Sequence, residues 1–250
     1  MTAIPRMSDQ AAAELPWLTV TQMIEVDRAM VEDYGIVLLQ MMELAGRHLA
    51  HLARARFLGD TPGRRRVVVL AGPGGNGGGA LVCARRLAGW GMDVSVFVTA
   101  AADRFSEVPR HQLDIVARLG LDVHDTDDPL PEPPDLVIDG IIGYSLRGAP
   151  RGRTAELIRW ANRGTAPVLA LDVPSGLDAT TGAPTDPCVR ATATMTLALP
   201  KQGLGAERAT GPVGQLYLAD IGVPPELYAR PPLGVRIPDV FAGSDVVRLR

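Results

Sequence analysis

Two aspartates stand at the ends of apolar runs. Asp139 closes Leu136-Val137-Ile138 and leads into Gly140-Ile141-Ile142-Gly143-Tyr144-Ser145-Leu146. Asp172 closes Val168-Leu169-Ala170-Leu171 and leads into Val173-Pro174-Ser175-Gly176-Leu177-Asp178. A carboxylate at the end of a buried strand is costly unless it is paired, metal-bound or used. Either aspartate alone reads equally well as a turn cap. Two of them, each followed by a glycine-bearing loop, point to a shared site. A third segment has the same form: Val67–Ala71 runs into Gly72-Pro73-Gly74-Gly75-Asn76-Gly77-Gly78-Gly79, where six glycines leave Asn76 as the one polar side chain. Backbone N–H groups of such a loop, ahead of a helix, can cradle an anion. The oxygens of Asn, Asp and Ser in these segments also suit a hard cation, potassium as readily as magnesium. The loop lacks Gly-Lys-Ser/Thr, which argues against a phosphate-cradling NTPase, and no G-x-S-x-G elbow supports a serine hydrolase.

These residues need a frame that brings strand ends together. From residue 66 the pattern alternates, with strands expected at 66–71, 93–98, 121–124, 135–139, 168–172, 192–197 and 214–219. Helices are expected at 80–89, 109–119 and 153–163. Strands alternating with helices predict an α/β fold, a mostly parallel sheet with helices on both faces. In such sheets ligands bind beyond the carboxyl ends of the strands. Upstream, Thr19 or Thr21 is an N-cap candidate for a helix carrying Met23, Val26, Asp27 and Met30 at helical spacing. A second helix is expected from about Val37 to Phe57. Residues 1–17 read as a flexible polar lead, 18–228 as one domain, and 229–250 as an extended tail without further helices after residue 180.

Composition narrows the function classes. The 250 residues are 46% apolar with a net charge of −3, so neither nucleic acid nor a membrane is an expected partner. No apolar run approaches the ~18 residues of a membrane span. Residues 1–16 lack a signal-peptide core, and a cytoplasmic location is the expectation. Two cysteines, Cys83 and Cys188, make no disulfide framework, and His48, His51, His111 and His124 form no zinc pattern. Arg64-Arg65-Arg66 and Arg85-Arg86 read as solvated clusters. Lys201 is the only lysine among 25 basic residues, a hint of a specific role.

The motifs together resemble the NAD(P)H-hydrate epimerase family, the N-terminal domain of the YjeF type. The family's G-P-G-N-N-G-G-D-G loop is similar to Gly72–Ala80, with Gly75 standing for Asn and Gly79 for Asp. Its D-A-x-x-G resembles Asp139–Gly143, and its D-x-P-S-G-x-D resembles Asp172–Asp178. Its A-x-x-T-x-T and P-K-x-G-L segments are similar to Ala191–Thr196 and Pro200–Leu204, and its L-M-E-x-A-G to Met41–Gly46. The resemblance covers residues 18–224.

That resemblance implies a Rossmann-like fold, a homodimer, and interconversion of the R and S forms of hydrated NADH or NADPH, a repair step for nicotinamide cofactors. It implies a potassium ion held by Asn76, Asp139 and Ser175. It places the nucleotide on Gly75, Asn76, Gly77, Gly78 and Gly79 and on Gly143, Tyr144, Ser145, Leu146, Arg147, Gly148 and Ala149, with Asp172 near the reacting ring. Asp172 is the candidate acid/base, with Lys201 orienting it or contacting phosphate. A dehydratase, fused in bifunctional relatives, is expected here as a separate protein. The alternative is a divergent member, either a non-catalytic nucleotide-binding or dimerisation module or an enzyme of altered substrate.

Overall fold

The computed structural model describes residues 4–59 and 65–250, with only the backbone of residues 9 and 10. The strands are β1 Arg66–Ala71, β2 Asp93–Val98, β3 Asp122–His124, β4 Leu136–Gly140, β5 Val168–Leu171, β6 Ala193–Leu197, β7 Gln215–Ala219 and β8 Val246–Arg248. They form one sheet in the order β3-β2-β1-β4-β5-β6-β7-β8. Every pairing is parallel except β7 with β8. The order reverses between β1 and β4, so the crevice beyond their carboxyl ends is a topological switch point, where open α/β sheets bind ligands.

The helices are α1 Asp9–Glu14, α2 Val20–Glu32, α3 Leu38–Ala53, α4 Gly75–Gly89, α5 Glu107–Arg118, α6 Gly152–Arg163, α7 Thr210–Val213 and α8 Pro225–Ala229. Alternate residues of each strand serve opposite faces, as the pleat requires. Val67, Val69 and Ala71 join Leu49 of α3, Leu81 and Leu87 of α4 and Leu113 of α5 in one cluster. Val68 and Leu70 join Leu157 and Ile158 of α6 on the other face. Near β7 and β8, Leu216, Leu218 and Val247 pack with Met23 and Met30 of α2 and Leu227 of α8. Thr19 settles the start of α2: its hydroxyl accepts from Gln22 N at 3.1 Å and its N–H donates to Gln22 Oε1 at 2.9 Å. This reciprocal pair is a capping box.

The glycine segment departs from the expected loop. α4 begins at Gly75, five residues before the start read from the sequence. Glycine is a poor helix former, and packing overrides that propensity here. A Cβ on Gly77 would lie 1.7 Å from Gly72 O, and one on Gly78 would lie 2.3 Å from Met42 Sδ. The contact between α3 and α4 is equally close: a Cβ on Gly46 would stand 2.5 Å from Gly79 O. Gly77 and Gly78 are bare because the backbone of Gly72 and the Met42 side chain of α3 occupy the space that side chains would need.

Both chain ends differ from the sequence reading. Residues 4–17, expected as a flexible lead, carry α1, bury Leu15 and bridge Arg6 to Arg248. The tail, expected to be merely extended, returns to the sheet as β8, with Val246 and Val247 buried. α7 and α8 are short helices beyond residue 180, where none was expected. Apolar runs of two or three residues carry too little periodicity to reveal such elements. Arg85 and Arg86 are bound to Glu43 of α3 rather than freely solvated. Arg65 and Arg66 are exposed; Arg64 lies outside the described residues. Among the described residues no helix is long and apolar enough to cross a membrane.

Candidate active site

The switch point opens onto a cavity of about 410 Å³ walled by the start of α4, the loops after β4 and β5, and side chains of α2 and α3. Asn76, in the first turn of α4, donates from Nδ2 to Leu171 O at 2.9 Å and so ties that helix to the end of β5. A Cβ on Gly143 would stand 3.1 Å from Asn76 Oδ1 and 3.3 Å from Asp172 Oδ2. Gly143 therefore sits against both oxygens, and any side chain there would crowd them.

Asp139 and Ser175 lie just behind the cavity wall, both fully buried. Ser175 donates from Oγ to Asp139 Oδ1 at 2.6 Å and from its N–H to Oδ2 at 2.8 Å. Ser175 Oγ in turn accepts from Ile142 N at 2.9 Å. This network staples the loop after β4 to the loop after β5. All of these partners are neutral, and burial pushes the Asp139 carboxyl up to about 6. A buried carboxylate whose partners are neutral, bonded to the Ser175 hydroxyl, suits a hard monovalent cation, and the Asn76 amide oxygen lies against Gly143 of the loop after β4.

Asp172 has a different environment. It is 3% exposed and adopts φ +65°, a left-handed conformation uncommon for residues other than glycine. Such strain is characteristic of functional sites. Its Oδ1 accepts from Lys201 Nζ and from Thr196 Oγ1 at 3.3 Å. Lys201 is 1% exposed and also donates to Leu197 O at 2.9 Å. A fully buried lysine is exceptional unless paired, and here the only lysine of the chain is committed to the aspartate. Both residues line the cavity.

The YjeF-related protein N-terminus family matches residues 38–203. The chain belongs to this family. An NAD(P)H-hydrate epimerase from Dehalogenimonas lykanthroporepellens is 46% identical over 85% of this chain and 84% of that protein. An NAD(P)H-hydrate epimerase from Truepera radiovictrix is 40% identical over 78% of this chain and 84% of its own length. A bifunctional NAD(P)H-hydrate repair enzyme Nnr from Moorella thermoacetica is 35% identical over 85% of this chain, which spans only 41% of that longer relative. The crystal structure of yeast ynu0 superposes with a TM-score of 0.78 over 94% of this chain and 100% of that one, at 23% identity, and shows the shared fold.

The YjeF-family motifs converge on the cavity, though not every residue reaches it. Gly75, Asn76, Gly79, Gly143, Tyr144, Ser145, Asp172 and Lys201 line it. Gly77 and Gly78 are buried beneath it as packing residues, and Asp139 and Ser175 support it from behind. Leu146, Arg147, Gly148 and Ala149 are outside its lining and run on along the surface. The two departures from the family loop differ in the room around them. A Cβ on Gly75 would meet open space, whereas a Cβ on Gly79 would lie 2.8 Å from Leu171 Cδ2.

The sequence reading missed Asp27 as a site residue. It lies on α2, before the segment matched by the YjeF-family comparison, yet it lines the cavity and accepts a hydrogen bond from Tyr144 Oη. Its signal was present: Asp27 interrupts the apolar stripe of Met23, Val26 and Met30, all buried. A carboxylate on a core-facing stripe needs a partner or a use.

Proposed function

We propose that the protein interconverts the R and S forms of hydrated NADH and NADPH, acting as an epimerase in nicotinamide-cofactor repair. The observation that carries this reading is the buried Lys201–Asp172 pair on the wall of the switch-point cavity. The names of its full-length relatives support the substrate. Epimerisation at the hydrated ring carbon passes through loss and return of water by way of a ring cation. Asp172 acts as acid/base on the departing hydroxyl and offsets the positive charge that develops on the ring. Lys201 holds Asp172 in place through its hydrogen bond, so Asp172 needs no reorganisation as the charge forms. The bare N-terminus of α4 offers backbone N–H groups to the phosphates. A buried ion pair is a costly feature for a module that only binds, which favours an enzyme.

A potassium ion is part of this proposal, held by Asn76, Asp139 and Ser175. It supplies positive charge that neutralises the buried Asp139 and stiffens the loops bordering the substrate. The proposal also includes a homodimer, a cytoplasmic location and a dehydratase activity that consumes the same hydrated cofactors.

The test is chiral separation of R and S hydrated NADH after incubation with the protein, with and without potassium. Interconversion faster than the spontaneous rate is expected, greater with potassium. No acceleration in either condition would end the epimerase reading.

A further inference from the structure

We propose that Asp27, with Tyr144 hydrogen-bonded to it, is a second acid/base group of the cavity, serving the face of the substrate ring that Asp172 does not. The proposal rests on the epimerase reading and adds the group that makes inversion possible.

Asp27 and Asp172 come from different elements, α2 and the end of β5, and both line the same cavity. Their partners differ in kind. Asp172 is bound by a cation, Lys201; Asp27 accepts from a neutral phenol, Tyr144. The neighbouring Arg28 does not relieve Asp27, because it binds Glu25, Glu32 and Asp33. The two pairs meet where Lys201 Nζ lies 6.0 Å from the centroid of the Tyr144 ring. The Asp172–Lys201 and Asp27–Tyr144 pairs are thus two polar pairs in a lining that also includes Met23, Met41 and Met42. Burial raises the Asp27 carboxyl above the usual carboxylate range, and burial together with Asp27 raises the Tyr144 phenol. Both shifts favour protonated forms, and the two carboxylates differ in their partners, a lysine for Asp172 and a phenol for Asp27.

The chemistry asks for this asymmetry. A planar ring cation has two faces, and inversion means that water leaves from one and returns to the other. A single carboxylate serves one face unless the ring turns over in the cavity. In one direction Asp27 carries the proton. The ring C–O bond breaks, its electron pair leaves with the oxygen, and that oxygen takes the Asp27 proton and departs as water. The ring-nitrogen lone pair stabilises the cation. A water on the other face forms the new C–O bond and gives one proton to Asp172. The substrate is inverted, one proton has passed from Asp27 to Asp172, and nothing is oxidised or reduced. Exchange with solvent resets the pair, and the reverse reaction uses the same steps backwards.

The experiment follows inversion and oxygen exchange together, in water labelled with oxygen-18, on the full chain. The wild-type protein is expected to invert both epimers and to label both. Asp27→Asn is expected to lose inversion by about 100-fold, while Asp172 still labels one epimer with retention. Inversion by Asp27→Asn at close to the wild-type rate overturns the proposal. So does a parallel fall of inversion and of exchange into both epimers, the mark of a merely structural residue. Tyr144→Phe keeps the ring and removes only the hydroxyl; kcat for inversion is expected to fall about tenfold with KM unchanged. If Asp27→Asn does not fold, Tyr144→Phe decides, and an unchanged ratio of inversion to exchange overturns the proposal. A wild-type protein that neither inverts nor exchanges refutes the epimerase reading itself, and the proposal with it.

Discussion

Lys201 donates to Asp172 inside the cavity wall, where their side chains are only 1% and 5% exposed. Removing one partner from such a pair leaves the other charge buried and uncompensated. Lys201→Met is therefore expected to destabilise the fold by about 3–5 kcal/mol. Combining it with Asp172→Asn, which leaves neither charge, is expected to recover much of that loss. Urea unfolding of the single and double variants measures both.

Asp172→Asn by itself separates chemistry from backbone strain. Asparagine tolerates the positive φ of this position, so the chain path persists. The expected result is a fall of about 10²–10⁴ in kcat, the range for a lost acid/base group. Chiral separation of the hydrated cofactor gives the rate. Retained epimerisation would remove Asp172 from the mechanism.

Gly75 and Gly77 should respond oppositely although they are two residues apart. Gly75→Asn enters open space and is expected to change stability by no more than about 0.5 kcal/mol. Gly77→Ala drives a Cβ against the Gly72 carbonyl and is expected to cost about 3 kcal/mol, the upper end of overpacking. Thermal melts of the two variants side by side test the contrast.

His48 gives the fold a dependence on pH. Its side chain is buried, and burial, aided by Arg47 and His51, lowers its pKa from 6.5 against the opposing pull of Asp220 and Asp245. The unfolded chain then takes up a proton near pH 6.5 that the folded chain does not hold. The His48 contribution to stability is thus full above about pH 6.5 and is lost as pH falls below it. His48→Phe is expected to flatten the decline between pH 7 and 5 in denaturant titrations. An unchanged slope would refute this assignment.

The proposed potassium site predicts ion-specific stabilisation. Melting temperature is expected to rise with potassium but not with tetramethylammonium at equal ionic strength. Well above the dissociation constant, each tenfold increase adds about 1.4 kcal/mol. Asp139→Asn is expected to abolish that difference, and its persistence would place the ion elsewhere.

Much of the architecture was legible in the chain. Strand ends fell within a residue or so of those read from apolar runs, because parallel strands buried on both faces carry continuous hydrophobicity. Asp139 and Asp172 stood out because carboxylates at the ends of such runs are conspicuous. The start of α4 was misread because helix propensity argues against four glycines in its first turns, Gly75, Gly77, Gly78 and Gly79. The space that excludes side chains there is defined by Met42, Gly72 and Leu171, and no local pattern contains it.

The sequence by itself determined the alternation of strand and helix, the parallel sheet, and the chemical types at the strand ends. These depend on neighbours within a few residues, where periodicity and turn chemistry operate. Only the tertiary structure decided that the single lysine is buried against Asp172, that Asp139 and Ser175 staple two loops behind the wall, and that Asp27 lines the cavity bonded to Tyr144. Asp27 and Tyr144 are 117 residues apart in the chain. Their meeting is set by how α2 packs over the sheet edge, a balance of burial summed over the whole molecule rather than a property of either segment.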